Sequence, residues 1–176
     1  MGKHTIAAIN HVDLNTGYRL RHVFQDTEYF VEHDHDYCEM FLTLHGSATH
    51  RANGQEVPIS RGCLIFVRDF DYHTYKDYKS GFEFLNLAFL KQTIFELCTY
   101  LKSEKQLNAL FAQKMPPQVR LTENETERLK MRIAQLNTID INDTESRIIY
   151  MRALLCDIYI RYFLNYTPQE DNIPFW

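Results

Sequence analysis

The sequence has 176 residues, 45% apolar and 24% charged, a globular balance that excludes wholesale disorder. A formal net charge of -4 argues against a nucleic-acid grip by these residues alone. Cys38, Cys63, Cys98 and Cys156 lie far apart with no CxxC pair, which argues against a disulfide framework or a thiolate zinc knuckle.

The start, Met1-Gly2-Lys3-His4, lacks the apolar run of a signal peptide, and no stretch reaches the roughly 18 apolar residues of a membrane span. A cytoplasmic protein without a membrane partner is expected. Up to residue 90, short apolar stretches alternate with turn formers. Strands are expected at Tyr18–Gln25, Tyr29–His33, Glu39–Leu44, Ala48–Ala52, Gln55–Ile59, Cys63–Val67 and Phe82–Phe89. Asn53-Gly54 can supply the two positive-φ residues of a type I′ hairpin turn. Pro58 restricts its strand to an edge or an end. Many short strands with frequent turns indicate a barrel or sandwich rather than βαβ units.

From residue 91 the period becomes helical. Helices are expected over Lys91–Leu101 and Glu104–Gln113, the second stopped by Pro116-Pro117. Thr122 with Glu125 forms a capping box, followed by Leu129, Ile133 and Leu136 on one face. Asp143 or Thr144 caps a last helix striped by Ile148, Met151, Leu155, Ile158 and Tyr162 and widened by Ile149, Leu154 and Phe163. The pair reads as a helical hairpin. Such a hairpin behind a β domain is often simply core; the sharper reading is a homodimer through these helices, because the second stripe is longer than one pairing with the first would cover. The tail, Thr167 to Trp176, is acidic and Pro-containing and closes on Ile173-Pro174-Phe175-Trp176, as a chain cut at a domain boundary would.

The chemistry concentrates in His33-Asp34-His35-Asp36-Tyr37-Cys38-Glu39. Residues two apart on a strand share a face about 6.6 Å apart, so His33 and His35 can aim at one point. Glu39 joins them only if the chain bends at Asp36–Cys38. His73 would arrive from a neighbouring strand. Three imidazoles and a carboxylate suit a divalent transition metal such as zinc, nickel, iron or manganese. Alternation turns Cys38 away from the site. The bland alternative is a metal-free polar lining.

His33-x-His35-x3-Glu39-x6-Gly46 matches the first cupin motif, and Gly54 to His73 resembles the second, with Arg68 and Phe70 where Pro and Gly are usual. The longer run, with Leu44-His45-Gly46, Asn53-Gly54-Gln55, Ser60-Arg61-Gly62 and His73-Thr74-Tyr75, resembles the sensor domain of AraC-type transcription regulators. Within that group the His-Asp-His block and the closing Pro-Phe-Trp are most similar to regulators of chitobiose and related β-glucoside use. The resemblance implies a mainly β fold with α: a small cupin barrel over residues 1–90 and a helical linker and dimerisation segment over 91–166. It also implies a tail over 167–176 leading to a DNA-binding domain outside this chain. The implied function is effector sensing for a transcription regulator, with a sugar or sugar phosphate as effector and no catalysis. His33, His35, Glu39 and His73 are the expected metal ligands, and Phe41, Thr43 and Tyr75 the expected effector contacts. The competing expectation is a metal-dependent cupin enzyme, a dioxygenase or sugar isomerase. A carbohydrate-binding module is a third.

Overall fold

A computed structural model describes residues 4–24 and 31–167. The strands are β1 (His4–Ile6), β2 (Tyr18–Phe24), β3 (His33–His35), β4 (Cys38–Ala52), β5 (Gln55–Ser60), β6 (Cys63–Val67), β7 (His73–Phe89) and β8 (Gln118–Arg120). The helices are α1 (Ala8–His11), α2 (Lys91–Tyr100), α3 (Glu104–Phe111), α4 (Glu123–Gln135) and α5 (Thr144–Ile158). The strands form one sheet in the order β1-β3-β7-β4-β6-β8, with β2 added to β7 and β5 to β4. The fold is a mainly β half-barrel of cupin type backed by helices, as expected.

Two strands are much longer than their sequence patterns suggest. The expected pair Glu39–Leu44 and Ala48–Ala52 is one strand, β4, and β7 begins at His73 rather than Phe82. Register shifts lie between Thr43 and Thr49 where β4 pairs with β7, so both strands turn a corner without breaking the ladder. Gly46 makes that corner possible. Its φ is +68°, and a Cβ there would lie 2.5 Å from the Lys79 carbonyl oxygen and 2.8 Å from the Phe82 Cα. The shift also reverses parity. Before it Glu39, Phe41 and Thr43 face the barrel interior; after it Ala48, His50 and Ala52 are the buried positions.

Local signals elsewhere are met. Asn53 (φ 50°) and Gly54 (φ 79°) turn β4 into β5, and Pro58 sits on β5, which pairs only with β4 among the described strands. The Thr122 hydroxyl accepts from the Glu125 N–H while the Glu125 carboxylate accepts from the Thr122 N–H, completing the capping box. Asp143 caps α5 by accepting from the Ser146 N–H at 3.0 Å. The expected strand Tyr29–His33 begins outside the described residues, and so does almost all of the tail. β1, α1 and β8 carry no strong sequence pattern, being three or four residues long.

The sheet divides two cores. Val23, Phe41, Ile59, Ile65, Val67, Tyr75, Phe82 and Phe84 fill the concave side. Cys38, Met40, Leu42, Leu64, Phe66, Leu87 and Phe89 face outward onto the helices. There Ile94, Leu107, Leu110, Leu129, Ile133, Met151, Leu155 and Ile158 meet them. The α5 stripe is therefore consumed within the chain: Met151, Leu155 and Ile158 are buried against the sheet and its neighbouring helices, while Ile148 is half-buried. Its surplus length over α4 is taken up in the core that the neighbouring helices share with the barrel's outer face. A π-turn at Tyr159–Phe163 follows, and the extra residue it accommodates brings Tyr159 and Phe163 into the core and leaves Tyr162 half-buried. No helix among the described residues is long and apolar enough to cross a membrane.

Candidate functional site

β3 and the start of β7 lie side by side, with His33 and His73 as register partners. The chain bends at Asp36 and Tyr37 between β3 and β4, which returns Glu39 to the face of His35. Donor atoms of His35, Glu39 and His73 all lie within 4.8 Å of one another, and all three residues are buried. The His33 ring stands beside this group, 4.6 Å from that of His73 and 6.0 Å from that of His35.

Hydrogen bonds at the far side of each ring decide which nitrogen faces the cluster. Nδ1 of His35 bonds the Tyr37 carbonyl at 2.7 Å, and Nδ1 of His33 bonds the Val31 carbonyl at 2.6 Å. An imidazole Nδ1 can only donate to a carbonyl, so Nε2 of each is left with its lone pair. Nδ1 of His73 contacts Nε2 of His50 at 3.4 Å. The result is two buried nitrogens, Nε2 of His35 and Nε2 of His73, with no hydrogen-bond partner among the described residues. A Glu39 oxygen lies 3.7 Å from the first, and the other Glu39 oxygen accepts from the Asn86 amide at 3.0 Å.

Burial sets the charge state. Desolvation holds His73 well below the ordinary histidine range, lowers His33, and takes His50 down to about 4. These rings are neutral at physiological pH, the form that ligates a metal. Two orphaned imidazole nitrogens beside a carboxylate, each ring oriented from behind, fit a divalent transition ion.

Phe41, Thr43 and Tyr75 all point into the barrel, where they are almost fully buried. Phe41 packs edge-on against Tyr75 at 5.2 Å and lies 5.5 Å from Phe84. Tyr75 stacks on His50 at 5.2 Å. Cys38 lies on the opposite face among the outward core residues, and burial pushes its thiol up.

Three supporting residues escape a sequence reading. His50 lies beyond the parity reversal in β4, so alternation carried on from Glu39 places it outside. Asn86 lies opposite Phe41 on β7 and meets Glu39 only through tertiary pairing. Tyr37 is sandwiched between His35 at 4.3 Å and His11 of α1 at 5.2 Å, with nearly parallel rings.

Residues 17–138 match the profile of a family described as "AraC-like ligand binding domain". Among curated proteins, the chain is 29% identical over 129 residues to the HTH-type transcriptional activator RhaS of Enterobacter sp., an alignment covering 71% of this chain and 44% of that protein. RhaS of Citrobacter koseri is also 29% identical, over 135 residues, covering 72% and 46%. The chain thus spans just under half the length of these curated relatives. Among solved structures, unsaturated fatty acid-bound ToxT of Vibrio cholerae superposes with a TM-score of 0.55 at 10% identity, covering 89% of this chain and 59% of that one. An apo form of ToxT gives 0.54 at 12% identity, covering 92% and 62%. At these identities the likeness is one of fold.

Proposed function

Because the chain belongs to the AraC-like ligand binding domain family, we propose that it is the effector-sensing domain of a sugar-responsive transcription regulator, cytoplasmic and without catalysis of its own. The observation that carries this reading is the family match, which runs through the barrel and α4. In this reading DNA is contacted by a C-terminal domain outside these residues, and the effector shifts the barrel against its helices. Only differential affinity for two arrangements can drive such a shift.

A sugar or sugar phosphate is favoured by the resemblance of the His33–Glu39 block to regulators of β-glucoside use. It is also favoured by a hollow of about 280 Å³ where β4, β5 and β7 meet. Ser47, Thr49, Ser60, Asp77 and Lys79 line it together with the apolar Ala48, Pro58 and Ile59, and the polar groups among them match the hydroxyls and charge of that ligand class.

A zinc, nickel, iron or manganese ion would be held by His35, Glu39 and His73, with His33 as a fourth ligand. When bound, such an ion would supply a Lewis-acid centre inside the barrel, apart from the hollow between β4, β5 and β7. The chain's own part is to keep the imidazoles of His33 and His73 neutral by burial, orient the rings through Tyr37, Val31 and His50, and orient Glu39 through Asn86. The same donor set would serve a dioxygenase or sugar isomerase, so that reading stands second.

Homodimerisation through the helices is supported by apolar side chains still exposed there, Met131 on α4 and Ile149 on α5, each 61% exposed.

The test is a thermal-shift screen of sugars and sugar phosphates on purified protein, run beside metal analysis. A saturable rise in Tm with one ligand and no turnover is expected. Turnover of a sugar by metal-loaded protein, with no ligand raising Tm, would overturn the sensor reading.

A further inference from the structure

His73 is delivered by a short loop, residues 68–72, between β6 and β7. That loop is built around a buried ion pair. Arg68 and Asp71 are both fully buried, and the guanidinium grips the carboxylate in a fork, Nε to Oδ2 at 2.8 Å and Nη2 to Oδ1 at 2.6 Å. The Arg68 N–H also donates to the same carboxylate at 2.7 Å, so loop backbone and side chain close on one group.

The remaining guanidinium nitrogen leaves the barrel altogether. Nη1 of Arg68 donates to the carbonyls of Leu110, Phe111 and Gln113, at 3.0, 3.1 and 2.6 Å. Leu110 and Phe111 close α3 and Gln113 lies just past it, at the end of the helix where a cation is favoured. A third element is tied in from the β4–β5 turn. The Asn53 amide donates to Asp71 at 2.7 Å and to the Lys114 carbonyl at 2.9 Å, while its oxygen accepts from the Tyr72 N–H at 3.0 Å.

A buried ion pair is a weak contributor to stability, because desolvation offsets its Coulomb energy, but it admits few alternative geometries. Here the constrained geometry spans His73 on one side, two residues from Asp71, and the end of α3 on the other. We infer that Arg68 and Asp71 are positioning residues that couple the place of His73 in the histidine–glutamate cluster to the C-terminal end of α3, so that occupancy of the cluster is transmitted to the helical half of the chain. This rests on the metal-binding reading above. Coupling of this kind is reciprocal: a fork that holds α3 also holds His73 for its ligand.

The experiment uses zinc ions alone as probe on the chain of residues 1–176, with hydrogen exchange read on the amides of α3 and zinc affinity read by chelator competition. Zinc is expected to slow exchange across Leu107–Gln113 in the unsubstituted chain. Asp71→Asn keeps the shape of the side chain but removes the charge that holds the fork. It is expected to weaken zinc binding about tenfold, in the range of outer-shell changes at metal sites, and to abolish the zinc-dependent slowing. Arg68→Lys retains the charge without the fork, and the same loss is expected. Arg161→Ala removes the Arg161–Asp157 contact of 2.9 Å, which involves neither the loop nor α3, and is expected to leave the response intact.

Zinc that binds the unsubstituted chain tightly while α3 exchange stays unchanged overturns the coupling but leaves the metal site standing. Zinc that does not bind at all overturns the metal reading and this inference together. A zinc response unaltered in a folded Arg68→Lys or Asp71→Asn chain also overturns the inference. The measurement on the unsubstituted chain decides the matter should either variant fail to fold.

Discussion

Nε2 of His50 lies 3.4 Å from Nδ1 of His73, and this contact fixes which face of the His73 ring looks into the cluster. Neither ring is exposed, so water does not substitute for the contact. With His50 behind it, His73 presents Nε2 toward Glu39 and His35.

Replacing His50 by Phe keeps the aromatic volume against Tyr75 and Phe41 but removes the ring nitrogen. Zinc or nickel affinity is expected to fall about tenfold, the lower end of outer-shell effects. Chelator competition measures this, and affinity equal to the unsubstituted protein would show that His73 needs no orienting partner.

Acid should destabilise the metal-free fold well before its carboxylates titrate. His50 is pushed down to about 4 by burial, and burial lowers His73 and His33 as well. In the unfolded chain each returns to about 6.5. Between those values the unfolded state binds protons that the folded state excludes, so stability is full above about pH 6.5 and is lost as pH falls towards 4. His50 alone accounts for on the order of 3 kcal/mol. Urea unfolding of chelator-treated protein at several pH values across this window would show the decline, and a flat profile would count against buried neutral rings.

Gly46→Ala and Gly54→Ala separate space from backbone strain. Both glycines have positive φ, but a Cβ at Gly46 would strike Lys79 and Phe82 backbone, whereas none of the described residues comes within 4 Å of one at Gly54. Gly54→Ala is expected to cost about 1 kcal/mol from strain alone. Gly46→Ala should cost several times more, because the β4–β7 corner must open. Equal Tm losses would show that the corner adjusts freely.

On the helices, Ile158→Asp and Ile149→Asp should behave oppositely. Ile158 is buried in the chain's own core, so a carboxylate there is expected to unfold the protein, at a cost of several kcal/mol. Ile149 is exposed, and Ile149→Asp should leave the monomer folded while weakening any homodimer formed through α5. Light scattering at tens of micromolar reads the difference. A monomer in the unsubstituted protein would end the dimer proposal.

Metal uptake should be indifferent to Cys38. The thiol faces the outward core, away from His35 and Glu39, so Cys38→Ala should retain full metal content with a modest loss of Tm. His35→Ala and Glu39→Ala should each lose metal, and retention in both would leave the cluster as polar lining.

What was legible in sequence was local. A period of two put His33 and His35 on one face, Asn53-Gly54 made its turn, and Thr122 with Glu125 capped α4, because each depends on residues within a few positions. The His33–Glu39 spacing likewise located most of the candidate cluster, since one bend between two strands relates those residues. What only the tertiary structure decided was everything carried across the β4–β7 corner or between barrel and helices. The parity reversal near Gly46 sends His50 inward, contrary to the alternation before it. The α5 stripe, long enough by itself to suggest a partner chain, is buried in one core shared by the neighbouring helices and the outer face of the sheet. Arg68, whose partners no local pattern indicates, finds them at the end of a helix some forty residues later. A repeat in the sequence says that a face will be buried; what buries it depends on shape and register between distant segments, and these are fixed only when the chain packs.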